Sequence, residues 1–321
     1  MTLIQSKRSF AVSDTASLMG SRPKFSDPRT VLEAGFENLD ITLDPERRTL
    51  WNYMRPGTGL ACFTMELLGD IRAMHQAIRD LHARARQNGE ETLQYVVAAS
   101  HIPGIYNMGG DLALFADKIR KGQRSVLHAY GHAAIDLIYA NSIAYDLPLI
   151  TIGLIQGDAL GGGFECALSY DVIIAERSAK IGLPEILFNL FPGMGAYSFL
   201  SRRLDPARAE KMILSGRIYT AEELFEMGVV DVLAEDGEGE YATRAYIERN
   251  ARKHNAYSAV YAARRRVRPI TEQELRDVVD LWVDAAMALE APDLRKMDRL
   301  AAAQSRRLLG VTGMGNSVAA E

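Results

Sequence analysis

Apolar and polar positions alternate through Phe36–Arg55, in the strings FENLDITLD and RTLWNYMRP parted by Pro45–Glu46, and this predicts a β-hairpin. From Phe63 to Gln87 the spacing becomes helical, with Leu67, Leu68, Ile71, Met74 and Ile78 on one face. Short apolar runs at Leu93–Ser100 and Pro148–Gly157 lack alternation, as strands buried on both faces do. Between them the loop HIPGIYNMGGD leads to a short helix from Leu112, and Ser125–Tyr145 predicts a second helix. A glycine cluster opens a further helix through Tyr170, after which DVIIAE and AKIGLPE are short strands. Pro206–Ser215 and Ala221–Met227 are helical, GVVDVLA is a strand, and the last third of the chain is helical. Strands alternating with helices predict an α/β class with parallel strands. The first 30 residues, rich in Ser, Lys and Arg, predict a loosely docked arm, and the residues from Gly310 a frayed tail.

Composition narrows this picture. With 321 residues and 48% hydrophobic content the chain can bury a substantial core, as one large domain with an appendage or as two. A net charge of −4 gives no case for nucleic acid. Two distant cysteines, Cys62 and Cys166, make neither a disulfide framework nor a zinc site, and are expected as reduced thiols in a cytoplasmic protein. No secretory signal is expected, and Asp136, Asn141 and Asp146 interrupt the longest apolar region, which argues against a membrane span.

The chemistry is concentrated in GDALGGGFECALSYD, Gly157 to Asp171, where a lone carboxylate, Glu165, follows three glycines. Neither nucleotide fingerprint fits: from Gly161 the sixth position is Cys166, and no Gly-Lys-Ser/Thr end is present. The glycines could instead let backbone N–H groups approach a developing oxyanion, with Glu165 in the first turn of the same helix. Tight helix–strand packing with a dipole-facing carboxylate is the structural alternative. A second glycine pair, Gly109–Gly110, precedes Asp111, which fits the N-cap of the next helix while Gly110 can still donate. Glu185 follows Pro184 in the apolar loop IGLPEILFNLFPGMGA, where burial would raise its pKa; a surface loop glutamate is the alternative.

Together, a strand followed by Gly-Gly-Asp, then Gly-Gly-Gly-Phe-Glu, then Pro-Glu, resembles the crotonase (enoyl-CoA hydratase/isomerase) superfamily. The resemblance implies a ββα spiral core, here residues 31–235, with a helical C-terminal region over 236–309 and assembly into trimers or dimers of trimers. It implies that Gly110 and Gly162 supply the oxyanion-hole N–H groups and that Glu165 and Glu185 are the two glutamates of hydratase-type members. The strings NYMRP, CFT, IPGIYNMGGDLALF and LPEILFNLFPGMGAYSFLSRRL are similar to the diffusible signal factor synthase (RpfF-like) branch, over about residues 32–305. That likeness implies dehydration of a 3-hydroxyacyl chain on acyl carrier protein to a cis-2-enoyl thioester. Hydrolysis would then release a cis-2-unsaturated fatty acid used as a quorum signal. It implies no cofactor, and allows a sensor kinase as a further partner. Positions resembling the family's acyl pocket are Leu160, Gly161, Met194, Trp282 and Leu300; ordinary core packing is the alternative for each. A generic enoyl-CoA hydratase or acyl-CoA hydrolase, and a non-catalytic acyl- or partner-binding protein of this fold, are the competing readings.

Three features stand outside that scheme. YAARRRVRP, Tyr261 to Pro269, could dock an acidic carrier protein but reads first as a solvated helix end. His101 and His132 are read as lacking ligand-spaced partners, so no metal is expected. Cys166, a helical step of about 100° from Glu165, is read as a small core residue rather than a nucleophile.

Overall fold

The computed structural model of the chain describes residues 35–55 and 60–315, together with Leu32. The N-terminal arm expected over residues 1–30 lies outside these.

The hairpin forms as β1 (Leu39–Asp44) and β2 (Thr49–Met54), paired antiparallel, and the long amphipathic helix as α1 (Met65–Asn88). Thr64 caps α1 by accepting from the Leu67 N–H, and Gly89 ends it in the left-handed conformation. β3 (Tyr95–Ser100), β5 (Ile150–Ile155), β7 (Val172–Glu176) and β10 (Val232–Ala234) complete a six-stranded sheet in the order β1-β2-β3-β5-β7-β10, parallel from β2 onward. Alternate residues of these strands feed two cores. Tyr95, Val97, Ile150, Ile152, Val172 and Ile174 face α8 (Gly239–Asn250) through Tyr246 and Ile247. Val96, Ala98, Ile155, Ile173 and Ala175 face the larger core, which contains α1 and α3 (Arg124–Ser142). Burial on both faces is why the strands read as continuous apolar runs.

A second, four-stranded sheet was not foreseen. It consists of β4 (Ile105–Asn107), β6 (Asp158–Leu160), β8 (Lys180–Gly182) and β9 (Ile218–Thr220), of which only β8 had been expected. Each of β3, β5 and β7 runs on into β4, β6 and β8, and a helical segment follows. The helices are α2 (Leu112–Arg120) with α3 after β4, α4 (Gly162–Leu168) after β6, and a 3-10 turn at Glu185–Phe188 after β8. This is the repeated ββα unit of the expected spiral. Strands of three residues are too short to show a period, and two of them lie in glycine-rich strings that read as loop.

Helices α5 (Ala196–Arg203), α6 (Pro206–Ser215) and α7 (Ala221–Glu226) follow, and α9 (His254–Val267), α10 (Glu272–Met287) and α11 (Ala291–Gly315) complete the helical C-terminal region. α11 continues past Gly310, where a tail had been expected, to Gly315. No helix among the described residues is long and apolar enough to cross a membrane.

The arginine run ends α9, but it is not simply solvated. Arg264 and Arg265 donate to the buried Asp171 at 2.7 Å and 2.5 Å. Asp171, just before β7, also accepts from the Thr151 N–H and hydroxyl, but its buried charge is balanced by these guanidiniums, so two of the four arginines are committed to the fold.

Candidate active site

Glu165 lies in the first turn of α4 and is 2% exposed. Its Oε1 accepts from the N–H of Met194 at 2.7 Å and of Ala196 at 3.1 Å. Gly195 sits between them at φ 108° as the N-cap of α5, a backbone setting that turns both neighbouring N–H groups onto one oxygen. Burial pushes the Glu165 carboxyl up to about 7, while the two N–H donors pull it back.

Glu185 opens the 3-10 turn after Pro184. The residue as a whole is only partly buried, but its Oε2 is fully buried and has no hydrogen-bond partner. Burial, and then the charge of Glu165, push its carboxyl up to about 8. Its carboxylate has only its own backbone N–H to lower it, against the two loop N–H groups on Glu165, so of the pair Glu185 is the one pushed further up.

The glycine turns meet at this place. A Cβ on Gly162 would lie 3.5 Å from the Gly110 nitrogen, so the two backbones are neighbours. Gly162 is the first residue of α4, and Gly110 precedes Asp111, which caps α2 by accepting from the Leu114 N–H at 2.9 Å. The N–H of Gly162, in the first turn of α4, has no acceptor within that helix, and Gly110 lies ahead of the cap of α2. Asn107, which sequence reasoning missed, fixes the first turn: its Oδ1 accepts from the Gly109 N–H at 2.8 Å.

Gly110, Gly162, Glu165 and Glu185 line one cavity, together with Met194 and Trp282. Phe115, Phe188, Leu190 and Gly193, unmarked in the sequence reading, close it. Gly161 stands behind the wall, where its Cβ would come within 2.4 Å of Glu185 Oε1. Leu160 in β6 and Leu300 on α11 are partly buried and lie outside this lining. The free space between these walls is about 30 Å³, room for little more than a water molecule. Trp282 and Phe115 pack edge to face at 5.2 Å in this lining. A larger cavity of about 120 Å³ lies elsewhere, against Phe199, Arg202 and Arg264, and contains neither glutamate.

Cys166 is buried and unpaired, with its thiol pushed up to about 12 by burial, as suits a core residue. The expectation about histidines needs correction: His128 stands one helical turn before His132 on α3, and both reach Asp280 on α10. The string HAYGH carried that spacing in the sequence.

A family model described as Enoyl-CoA hydratase/isomerase matches residues 72–285. Mitochondrial methylglutaconyl-CoA hydratase of Rattus norvegicus is 34% identical over 160 residues, covering 50% of this chain and 49% of the relative. The Homo sapiens enzyme is 33% identical, with 50% and 45% covered. The chain thus spans about half the length of the curated relatives it matches. Among solved structures, an enoyl-CoA hydratase/isomerase from Xanthobacter autotrophicus Py2 superposes with a TM-score of 0.66 at 18% identity, covering 86% of this chain and 97% of that one. Pseudomonas aeruginosa DspI superposes with a TM-score of 0.60 at 25% identity, covering 81% and 98%.

Proposed function

The chain belongs to the enoyl-CoA hydratase/isomerase family, and on that premise we propose that it adds or removes water at the α,β-bond of an acyl thioester. The observation that carries this reading is that Glu165 and Glu185, each with a buried carboxylate oxygen, line one cavity with Gly110 and Gly162.

The thioester carbonyl oxygen is received by Gly110 and Gly162, whose N–H groups stabilise the charge that gathers there. In the hydration direction the resting proton distribution is already correct: ionised Glu165 takes a proton from water as oxygen bonds to the β-carbon, and Glu185 delivers a proton to the α-carbon. Dehydration starts from the opposite distribution. Glu185 removes the α-proton, the negative charge passes to the thioester oxygen, the β-carbon–oxygen bond breaks, and protonated Glu165 completes the departing water. One proton shared by the pair serves both directions.

The finer reading is a signal synthase acting on 3-hydroxyacyl chains held on acyl carrier protein. After dehydration, water activated by the same pair attacks the thioester carbonyl; the oxyanion collapses, expelling the pantetheine thiol and freeing the 2-enoic acid. The sequence motifs, including LPEILFNLFPGMGAYSFLSRRL, support this. A homo-oligomer, acyl carrier protein as carrier and a cytoplasmic setting belong to the same proposal. The second reading, hydration of a CoA-bound enoyl group without hydrolysis, is favoured by the similarity to methylglutaconyl-CoA hydratases.

Mass spectrometry of the purified chain with 3-hydroxydodecanoyl-acyl carrier protein and, separately, with a 2-enoyl-CoA separates the two. Free 2-enoic acid from the carrier-bound substrate, lost in Glu165→Ala and Glu185→Ala, supports the synthase. A hydrated CoA thioester with carrier substrate untouched selects the hydratase. No turnover of either removes both and leaves a binding role.

A further inference from the structure

His128 and His132 lie one turn apart on α3, and Asp280 faces them from α10. The Nε2 atoms of both histidines reach the same oxygen, Asp280 Oδ1, at 3.1 Å and 3.2 Å. The two rings stack with centroids 3.9 Å apart. What brings the helices this close is the residue before His132: a Cβ on Gly131 would lie 2.6 Å from Val279 Cγ1, so only glycine lets α10 approach. Gly131 and Val279 are the chain neighbours of His132 and Asp280.

We propose that His128, His132 and Asp280 form a binding site for a divalent transition-metal ion, with zinc as the reference member of the class. Two imidazoles and one carboxylate are the donor set that suits zinc, copper and nickel rather than calcium or magnesium. Bonds of 2.0–2.1 Å to a tetrahedral zinc put neighbouring ligand atoms about 3.3 Å apart. The oxygen–nitrogen separations of 3.1 Å and 3.2 Å match that edge. A fourth position stays open to solvent, since all three side chains are partly exposed. Around these ligands the carboxylates of Asp284, Asp136 and Glu272 balance the guanidiniums of Arg72, Arg124 and Arg276, so the charge that meets the cation is that of Asp280 itself.

One contact must yield. Arg276 Nη1 donates to His132 Nδ1 at 2.6 Å, so in the metal-free protein the proton of a neutral His132 is on Nε2. On metal binding that proton moves to Nδ1, and Arg276 falls back on Asp136 and Glu272, which it already contacts at 2.6 Å and 2.5 Å. The ion would brace α10 against α3. Trp282, two residues beyond Asp280, lines the cavity between the glutamates, so the brace holds a wall of the site without touching the reacting atoms.

The test is isothermal titration of the tag-free full chain with Zn²⁺, beside His128→Ala, His132→Ala, Asp280→Asn and the distant control His101→Ala. Circular dichroism without metal checks that each variant is folded. The wild type and His101→Ala should bind one ion, and the three site variants should each bind at least about ten-fold more weakly, since each loses one of three ligands. Zinc at a hundred-fold excess over Kd should raise the wild-type Tm by about 5 °C. Co²⁺ should give the intense visible bands of a four-coordinate site in the wild type and lose them in His128→Ala. Arg276→Gln, which removes the opposing donor and offers an acceptor to Nδ1–H, should bind zinc at least as tightly as wild type. Absence of wild-type binding, or binding that survives intact in the folded site variants, overturns the proposal.

Discussion

Met194 donates its backbone N–H to Glu165 Oε1 at 2.7 Å, and Ala196 adds a second N–H to the same oxygen at 3.1 Å. Both donors are satisfied by an oxygen that need not be charged. Glu165→Gln can therefore keep the loop in place while losing the proposed acid–base function. Turnover should fall about 10²–10⁴-fold with little change in Tm. Glu165→Ala should lose activity to the same extent and also about 1–3 kcal/mol of stability, because it strands two buried N–H groups. Thermal melts beside steady-state rates check this; a Gln variant with more than a tenth of wild-type turnover would exclude Glu165 from proton transfer.

Both glutamates have folded-state pKa values above the ordinary 4.5, at about 7 and about 8. The folded protein then holds protons that the unfolded chain has already released, so stability falls as pH rises from about 4.5 to 8. Glu185→Gln, which cannot ionise, should be more stable than wild type at about pH 9, on the order of 1–3 kcal/mol, and show no such gain at about pH 4.5. Urea unfolding at the two pH values reads this directly; an equal difference at both would mean that Glu185 is not buried as a charge. For activity the pair needs a single proton. The rate should fall below about pH 7, where no base remains, and above about pH 8, where no acid remains.

The large sheet and the long helices were legible because their residues repeat with a period of two, run continuously apolar, or recur at helical spacing, as in Leu67, Ile71, Met74 and Ile78. The position of Asp111 as a cap was legible for the same local reason. The second sheet was not, because β4, β6 and β9 owe their existence to neighbours far along the chain. The convergence of Glu165, Glu185, Gly110 and Gly162 was readable only through resemblance. Nothing local says that the Met194 loop returns to α4, or that Trp282 on α10 reaches that cavity. Asp280 could not be found by spacing from His132, since only the helix crossing at Gly131 joins them.

Gly162 and Gly163 separate folding from chemistry. A Cβ on Gly163 would sit 2.1 Å from the Asn107 carbonyl oxygen, which is backbone and cannot yield. Gly163→Ala should therefore give little folded protein. A Cβ on Gly162 would meet only ordinary contacts, at 3.4 Å and 3.5 Å, but beside the Gly110 nitrogen. Gly162→Ala should fold and lose about 10²-fold in rate, the scale of one lost oxyanion donor, because the methyl group intrudes where the carbonyl oxygen would dock. Expression yield and turnover of the two variants check the contrast; a fully active Gly162→Ala would move the oxyanion hole elsewhere.

Trp282 is proposed to set how much of an acyl chain the cavity can take. It is 3% exposed, packs on Phe115, and leaves so little room that a Cβ on Gly193 would lie 2.4 Å from its own Cβ. If the chain passes between these walls, the indole must be displaced when substrate binds, and its size sets the length preference. Trp282→Phe should keep the fold and raise kcat/KM for long acyl thioesters relative to short ones. Trp282→Ala should extend that shift at a cost of about 3–5 kcal/mol of stability. A series of saturated chain lengths, assayed on both variants, measures it. An unchanged ratio in folded Trp282→Phe would mean that the acyl chain leaves the glutamate pair by another wall, and that Trp282 only supports the loop carrying Met194 and Ala196.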